Sequence, residues 1–319
     1  MSDAALRPQV FATRRFPPRV REELDKSFEL EVHDSEWPPL REELLAGVAD
    51  RDGLMTMLTD RIDDELLAAA GPGLRVVANF AVGFDNVDVP ACTRRGVVVA
   101  NTPDVLTQAT AELTIALMLA LVRRVAEGDR LLRRREDWIW APNMLLGRGL
   151  GGLTLGLVGY GRIGKEVARL GEAHGTEVVY SSRRGGVPLD ELLASADVVS
   201  LHVPLSAETH HLIDERALGL MKPTAVLVNT SRGPIVDEAA LARVLGDGRI
   251  AGAALDVFER EPEVTAELLA LENVVLTPHL GSATFDTREA MGMLCVQALR
   301  AVLLGRRPPP NALNPDALR

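Results

Sequence analysis

Cysteine is almost absent from this chain: Cys92 and Cys295 are the only two in 319 residues. Two thiols so far apart cannot build a disulfide framework or a cysteine-rich metal centre, so a hydrophobic core must carry the stability. No apolar run is long enough to span a bilayer, and the opening MSDAALRPQV has no apolar signal core. Lysine is scarce as well, with Lys26, Lys165 and Lys222 the only three; arginine supplies the rest of the positive charge. The formal net charge of −10 would repel nucleic acid and anionic membrane on average. A small anionic substrate responds to a local field and is not excluded. These absences point to a protein of a reducing cytoplasm, with no nucleic-acid partner, no membrane partner and no metal.

What is present is globular. Hydrophobic residues at 47% and charged residues at 25% suffice for cores, and 319 residues suffice for two domains. Over the first hundred residues, apolar stretches (VFATR at 10–14, ELEVH at 29–33, GLMTML at 53–58, LRVVANFAV at 74–82, VVVAN at 97–101) alternate with amphipathic helical ones. Such βα alternation predicts a parallel sheet covered by helices. NTPDVLTQATAELTIALMLALVRRVAEG (101–128) then predicts one long buried helix, capped by Thr102 with Pro103 in its first turn. A second alternating series follows, and TFDTREAMGMLCVQALRAVLLG predicts a final amphipathic helix returning to the first domain.

Within the second series, GLVGYGRIG places Gly159, Gly161 and Gly164 in G-x-G-x-x-G spacing, with Tyr160, Arg162 and Ile163 between them. The motif follows an apolar strand and opens a helix, the context in which glycines admit a pyrophosphate onto a helix N-terminus. The next strand should end in an acid that binds the ribose 2′-hydroxyl of NAD. It ends instead in VVYSSRR, with Ser182, Arg183 and Arg184 at that place and no carboxylate before Asp190. Serine and arginine can bind a 2′-phosphate with charge assistance, which favours NADP(H), with NAD(H) as the weaker alternative. Near the end of the series, NVVLTPHLGSAT reads as a buried strand stopped by Pro278, with His279 at its lip. His210 and His211 read as neighbours on a helix that point different ways, without metal-ligand spacing.

Six stretches in order (ANFAVGFDNVD, NTPDVLTQATAE, GLVGYGRIG, VNTSRGPIVDE, ALDVFEREP and LTPHLGSA) closely resemble the D-2-hydroxyacid dehydrogenase family, especially its glyoxylate/hydroxypyruvate reductase branch. The resemblance implies an α/β enzyme of two doubly wound domains crossed by two long helices. A Rossmann cofactor domain (102–283) is inserted into a flavodoxin-like substrate-binding domain (1–101 and 284–319). It implies Arg232 as the catalytic arginine, His279 as the acid/base and Glu261 as its acidic partner. The cofactor's carboxamide would meet Asp256, and the cofactor set extends to Val203, Pro204, Thr209, Thr230, Ser231 and Gly281. The substrate carboxylate would meet the backbone N–H groups of Val82 and Gly83, with Leu58 beside them. In such reductases the loop matching EDWIWAPNM belongs to a dimer contact, so a homodimer with Trp140 reaching the partner's substrate pocket is implied.

The residue chemistry points the same way. Reducing a 2-oxo acid needs a cation for carboxylate and carbonyl, a proton donor and a hydride source. Arg232 offers a forked cation, and a carboxylate beside His279 favours its proton-donating form. The expected activity is NADPH-dependent reduction of glyoxylate and hydroxypyruvate to D-2-hydroxy acids. Alternatives are a 2-keto-aldonate (2-ketogluconate) reductase, a phosphoglycerate dehydrogenase, whose long forms carry a regulatory C-terminal domain absent here, and a non-enzymatic nucleotide-sensing corepressor.

Overall fold

The computed structural model describes residues 7–318. The chain divides into two compact units, Met1–Leu106 with Thr284–Arg319, and Thr107–Ala283. Residues 1–6 and 319 of the expected substrate-binding domain lie outside the described residues.

In the first unit, β1 (Gln9–Ala12), β2 (Glu29–Val32), β3 (Gly53–Thr56), β4 (Val76–Asn79) and β5 (Val98–Ala100) pair in parallel in the order β2-β1-β3-β4-β5. That is the flavodoxin-like order. Phe11, Leu54, Val77 and Val99 feed one buried cluster on this sheet. The helix Phe285–Leu303 packs on the sheet as well, so closely that a Cβ on Gly53 would lie 2.9 Å from Leu299. The strands are shorter than the apolar stretches that announced them. The chain leaves β1 at Thr13 and Arg14 because both side chains engage the buried Asp60, Arg14 at 3.2 Å. LRVVANFAV ends as a strand at the fully buried Asn79, whose amide donates to Gly83 O at 3.0 Å and so bends the chain back.

The second unit contains β6 (Thr154–Val158), β7 (Glu177–Ser182), β8 (Gly185–Gly186), β9 (Val198–Leu201), β10 (Val226–Asn229), β11 (Gly252–Leu255) and β12 (Val274–Leu276). Their order is β12-β11-β10-β9-β6-β7-β8, the doubly wound order of dinucleotide-binding sheets, with β8 antiparallel to β7. Alternate residues serve opposite faces. Leu227 and Leu255 join the cluster built with Leu192, Leu193 and Leu241, while Val226, Val228 and Ala254 join Leu117, Met118 and Val167 on the other side. Helices on both faces explain why these strands are apolar throughout. Each fully enclosed leucine, such as Leu155, Leu157 or Leu201, contributes about 1.5–3 kcal/mol.

Three local expectations are corrected. The stretch 101–128 is not one helix: Thr107–Val122 and Val125–Arg133 are separate, broken at Arg124, which adopts a left-handed φ of 55°. Nor do Thr102 and Pro103 open the first of them, because Thr102 N–H donates to Ala81 O at 2.9 Å and Asp104 also has positive φ, 72°. His210 and His211 lie in a turn with their rings 4.1 Å apart; His211 is left-handed (φ 50°) and donates its N–H to Pro234 O.

Candidate active site

Every chemically suggestive side chain of the second unit lies at or beyond the carboxyl end of a strand, where doubly wound sheets bind ligands. The loop after β6 is shaped by close approach. A Cβ on Gly159 (φ 99°) would sit 2.5 Å from His202 O, and one on Gly164 would sit 2.4 Å from Gly159 O. Gly161 differs, since a Cβ there would meet nothing within 4 Å. Gly161 is also the N-cap of the twelve-residue helix Arg162–Ala173, with Ile163 in its first turn. An open cradle at the N-terminus of a long helix fits a pyrophosphate, which the backbone N–H groups would hold. Tyr160, between the glycines, stacks on Tyr180 of β7 at 4.0 Å.

Beyond β7 the chain turns back at Arg183 and Arg184, both exposed. Ser182 Oγ closes this hairpin, donating to Gly185 O at 2.9 Å and accepting from Arg184 N at 3.3 Å. Asp190, the next carboxylate in sequence, turns away into a two-point pair with Arg216 at 2.9 and 3.0 Å. Ser231 Oγ ties the loop after β9 to the loop after β10 by donating to Val203 O, and Thr230 Oγ1 meets Thr114 Oγ1 of the helix Thr107–Val122 at 2.9 Å. Thr209 closes the first of these loops by donating to Pro204 O at 2.7 Å. His202 begins the loop after β9 and lies against Gly159; burial pushes its imidazole down to about 4, so it is neutral beneath the glycine loop.

His279 Nδ1 lies 2.8 Å from Glu261 Oε2, and Glu261 Oε1 accepts from Phe258 N at 3.1 Å. With Nδ1–H donated to the carboxylate, Nε2 is the ring nitrogen left to face a reactant. His279 is left-handed (φ 54°), a costly conformation for a residue with a Cβ. It is held there by Asp256 at the end of β11. Asp256 O accepts from His279 N at 2.9 Å. Its carboxylate takes Thr277 Oγ1 at 2.5 Å, Leu280 N at 2.7 Å and Gly281 N at 2.8 Å. Burial pushes the Asp256 carboxyl up, against the pull of these donors and of His279. The residue expected to meet a cofactor carboxamide is thus wholly buried and grips the His279 loop.

Arg232 leads into the tight turn Gly233–Ile235, and Asn229 Nδ2 fixes its carbonyl at 2.9 Å. Its Nη1 donates to Ser231 O at 2.8 Å. Only glycine fits next to it, since a Cβ on Gly233 would lie 1.9 Å from the backbone of Phe258. The Arg232 turn and the Glu261 loop are thereby pressed together.

In the first unit, Leu58 lies in the turn after β3, which Asp60 closes by accepting from Met57 N at 2.8 Å. Beyond β4, Asn101 Nδ2 holds Val82 O at 2.8 Å and Asn79 Nδ2 holds Gly83 O. Trp140 stands in the irregular stretch before β6 and is 87% exposed.

A cavity of about 310 Å³ opens on the opposite, amino edge of the second sheet, among Leu121, Leu153, Val226 and Val275. Its charged side chains are already paired, Arg124 with Glu127 and Asp197 with Lys222, and it lies at the edge of the sheet away from the glycine loop.

The fold and these residues define a nicotinamide-dinucleotide oxidoreductase. Residues 115–281 match the NAD-binding domain of D-isomer specific 2-hydroxyacid dehydrogenases. A glyoxylate reductase of Pyrococcus furiosus is 48% identical, covering 98% of this chain and 97% of its own. One of Aeropyrum pernix is 49% identical over 98% of each chain. Among solved structures, a Thermus thermophilus protein is 46% identical with a TM-score of 0.91, over 96% of this chain and 99% of that one. An NADPH-dependent glyoxylate/hydroxypyruvate reductase of Sinorhizobium meliloti, in complex with NADP and malonate, is 35% identical with a TM-score of 0.83 over 98% of both. The chain belongs to the D-isomer specific 2-hydroxyacid dehydrogenase family.

Proposed function

We propose that the chain reduces small 2-oxo acids, glyoxylate and hydroxypyruvate foremost, to D-2-hydroxy acids with NADPH. The observation that carries this reading is the His279–Glu261 pair, held beside the Arg232 turn in the unit that bears the glycine loop. The names of the reductases similar along the whole chain support it. Arg232 holds the substrate's carboxylate and carbonyl oxygens in forked geometry and polarises the carbonyl. In the first unit, the N–H groups of Val82 and Gly83 and the side chain of Leu58 are the groups offered to a substrate. His279 delivers a proton from Nε2 to the carbonyl oxygen, while Glu261 keeps the ring oriented and stabilises its charged form. A bound dinucleotide would supply the hydride, and the loop 159–164 with Ser182, Arg183 and Arg184 would hold its phosphates. A cytoplasmic setting belongs to the same proposal, supported by two buried free cysteines; among the described residues no helix is long and apolar enough to cross a membrane.

The test is NADPH oxidation measured against glyoxylate, hydroxypyruvate, 2-ketogluconate, pyruvate and phosphohydroxypyruvate. The highest kcat/KM is expected with one of the first two. A preference for 2-ketogluconate or phosphohydroxypyruvate would replace the substrate assignment, and inactivity with all five would favour a sensing role.

A homodimer is part of the proposal. Leu132, Trp138, Ile139, Trp140 and Leu146 are all more than half exposed within fifteen residues of sequence. So much apolar surface in one stretch is characteristic of an interface. We place Trp140 against the substrate pocket of the second copy. Trp140→Ala is expected to raise KM for the 2-oxo acid or to change substrate preference, leaving NADPH affinity nearly unchanged. Sedimentation showing a fully active monomer would rule this out.

A further inference from the structure

Glu238 is 5% exposed, and the catalytic groups above make no use of it. It opens the helix Glu238–Gly246, six positions after Arg232. Its Oε2 accepts from Glu259 N at 2.8 Å and its Oε1 from Thr265 N at 2.9 Å. One carboxylate thus fastens both ends of the loop that carries Glu261. The tie is reciprocal, because Glu259 Oε2 accepts from Glu238 N at 3.2 Å. Glu259 Oε1 in turn lies 2.9 Å from His211 Nε2, a second histidine–carboxylate pair outside the site. His211 belongs to a segment that pairs with the chain just past Arg232, through His211 N to Pro234 O and Ile213 N to Ile235 O. Together with Gly233 pressed on Phe258, these bonds lock the Arg232 turn to the Glu261 loop.

We infer that Glu238 is a positioning residue for the proton donor, setting the distance from Glu261 to His279 through the loop 259–265. The inference rests on the proposed role of His279. A buried carboxylate that served stability alone could have been replaced by apolar packing, whereas this one is aimed at the two ends of a single functional loop. If the loop relaxes, Glu261 withdraws, leaving His279 with Asp256 as its remaining anionic neighbour among the groups described, and the charged ring loses its closest support.

The test uses two variants of the full-length enzyme. Glu238→Gln keeps the shape but turns an amide N–H₂ toward one of the two N–H donors. Thr265→Pro leaves the carboxylate intact and deletes one donor; Thr265 has φ −54°, which proline adopts, and its side chain makes no cap hydrogen bond. In both, kcat for reduction is expected to fall about 10–100-fold, as for a displaced catalytic group. KM for NADPH should hold, and the alkaline fall of kcat/KM should move to lower pH. A purely structural role would lower the melting temperature without moving that limb. Folded variants with the wild-type limb and kcat would overturn the inference, and so would failure of both variants to fold. A wild-type enzyme with no alkaline fall would instead refute the His279 assignment on which the inference stands.

Discussion

His279→Ala is expected to lower kcat for 2-oxo acid reduction by about 10²–10⁴-fold, the usual contribution of a positioned general acid. The sign of the pH dependence follows from the proton it carries. Reduction consumes a proton from Nε2, so kcat/KM should fall as pH rises and the imidazolium is lost. Oxidation of the D-2-hydroxy acid needs the neutral ring as base and should fall as pH drops. The two limbs must therefore be mirror images and must vanish together in the variant. Glu261→Gln should keep the fold but weaken the support for the charged ring, shifting the reductive limb to lower pH. Steady-state rates in both directions across the pH range decide the matter. An active His279→Ala enzyme with the wild-type profile would return His279 to a structural part.

The second large effect concerns the choice of coenzyme. Wild-type enzyme is expected to use NADPH far better than NADH, and Arg183→Asp should abolish the preference, changing the ratio of kcat/KM values on the order of 10–100-fold. The exposed Arg183 would bind the 2′-phosphate with charge assistance, whereas an aspartate would repel it. The folded chain adds a carboxylate absent from the β7 sequence. Glu208, on the loop after β9, is held below the usual carboxylate range first by Ser206 Oγ and also by the charge of Arg183. Arg183 thus has an anion within electrostatic reach, and a bound 2′-phosphate would compete with it. Glu208→Gln is the informative control, expected to strengthen the NADPH preference. Initial rates with both coenzymes on wild type and the two variants provide the measurement. Equal or better kcat/KM with NADH in the wild type would end the NADPH assignment.

Much of this molecule was legible as one-dimensional pattern. Strand-length apolar runs between amphipathic stretches are a local property, and they announced both doubly wound sheets. The glycine spacing in GLVGYGRIG was readable because close backbone approach permits no other side chain at Gly159 and Gly164. Proline after β12 and histidine just beyond it likewise marked a strand end with a polar tip. The helix boundaries were less legible. The break at Arg124 depends on a left-handed residue that composition does not signal, and the strand ends in the first unit depend on the buried Asp60 and Asn79.

What the sequence alone determined is a strand–glycine–helix unit, two arginines in place of an acid, and a histidine just beyond a strand, while Arg232 and Glu261 were singled out by the family resemblance. Only the tertiary structure decided how those residues are held. Asp256 wraps its carboxylate in the His279 loop, and Glu238 fastens the Glu261 loop at both ends. Each of these links joins residues more than 20 positions apart through hydrogen bonds. Such pairings leave no periodicity in the chain, because they come into being only when separate loops converge on one edge of a sheet.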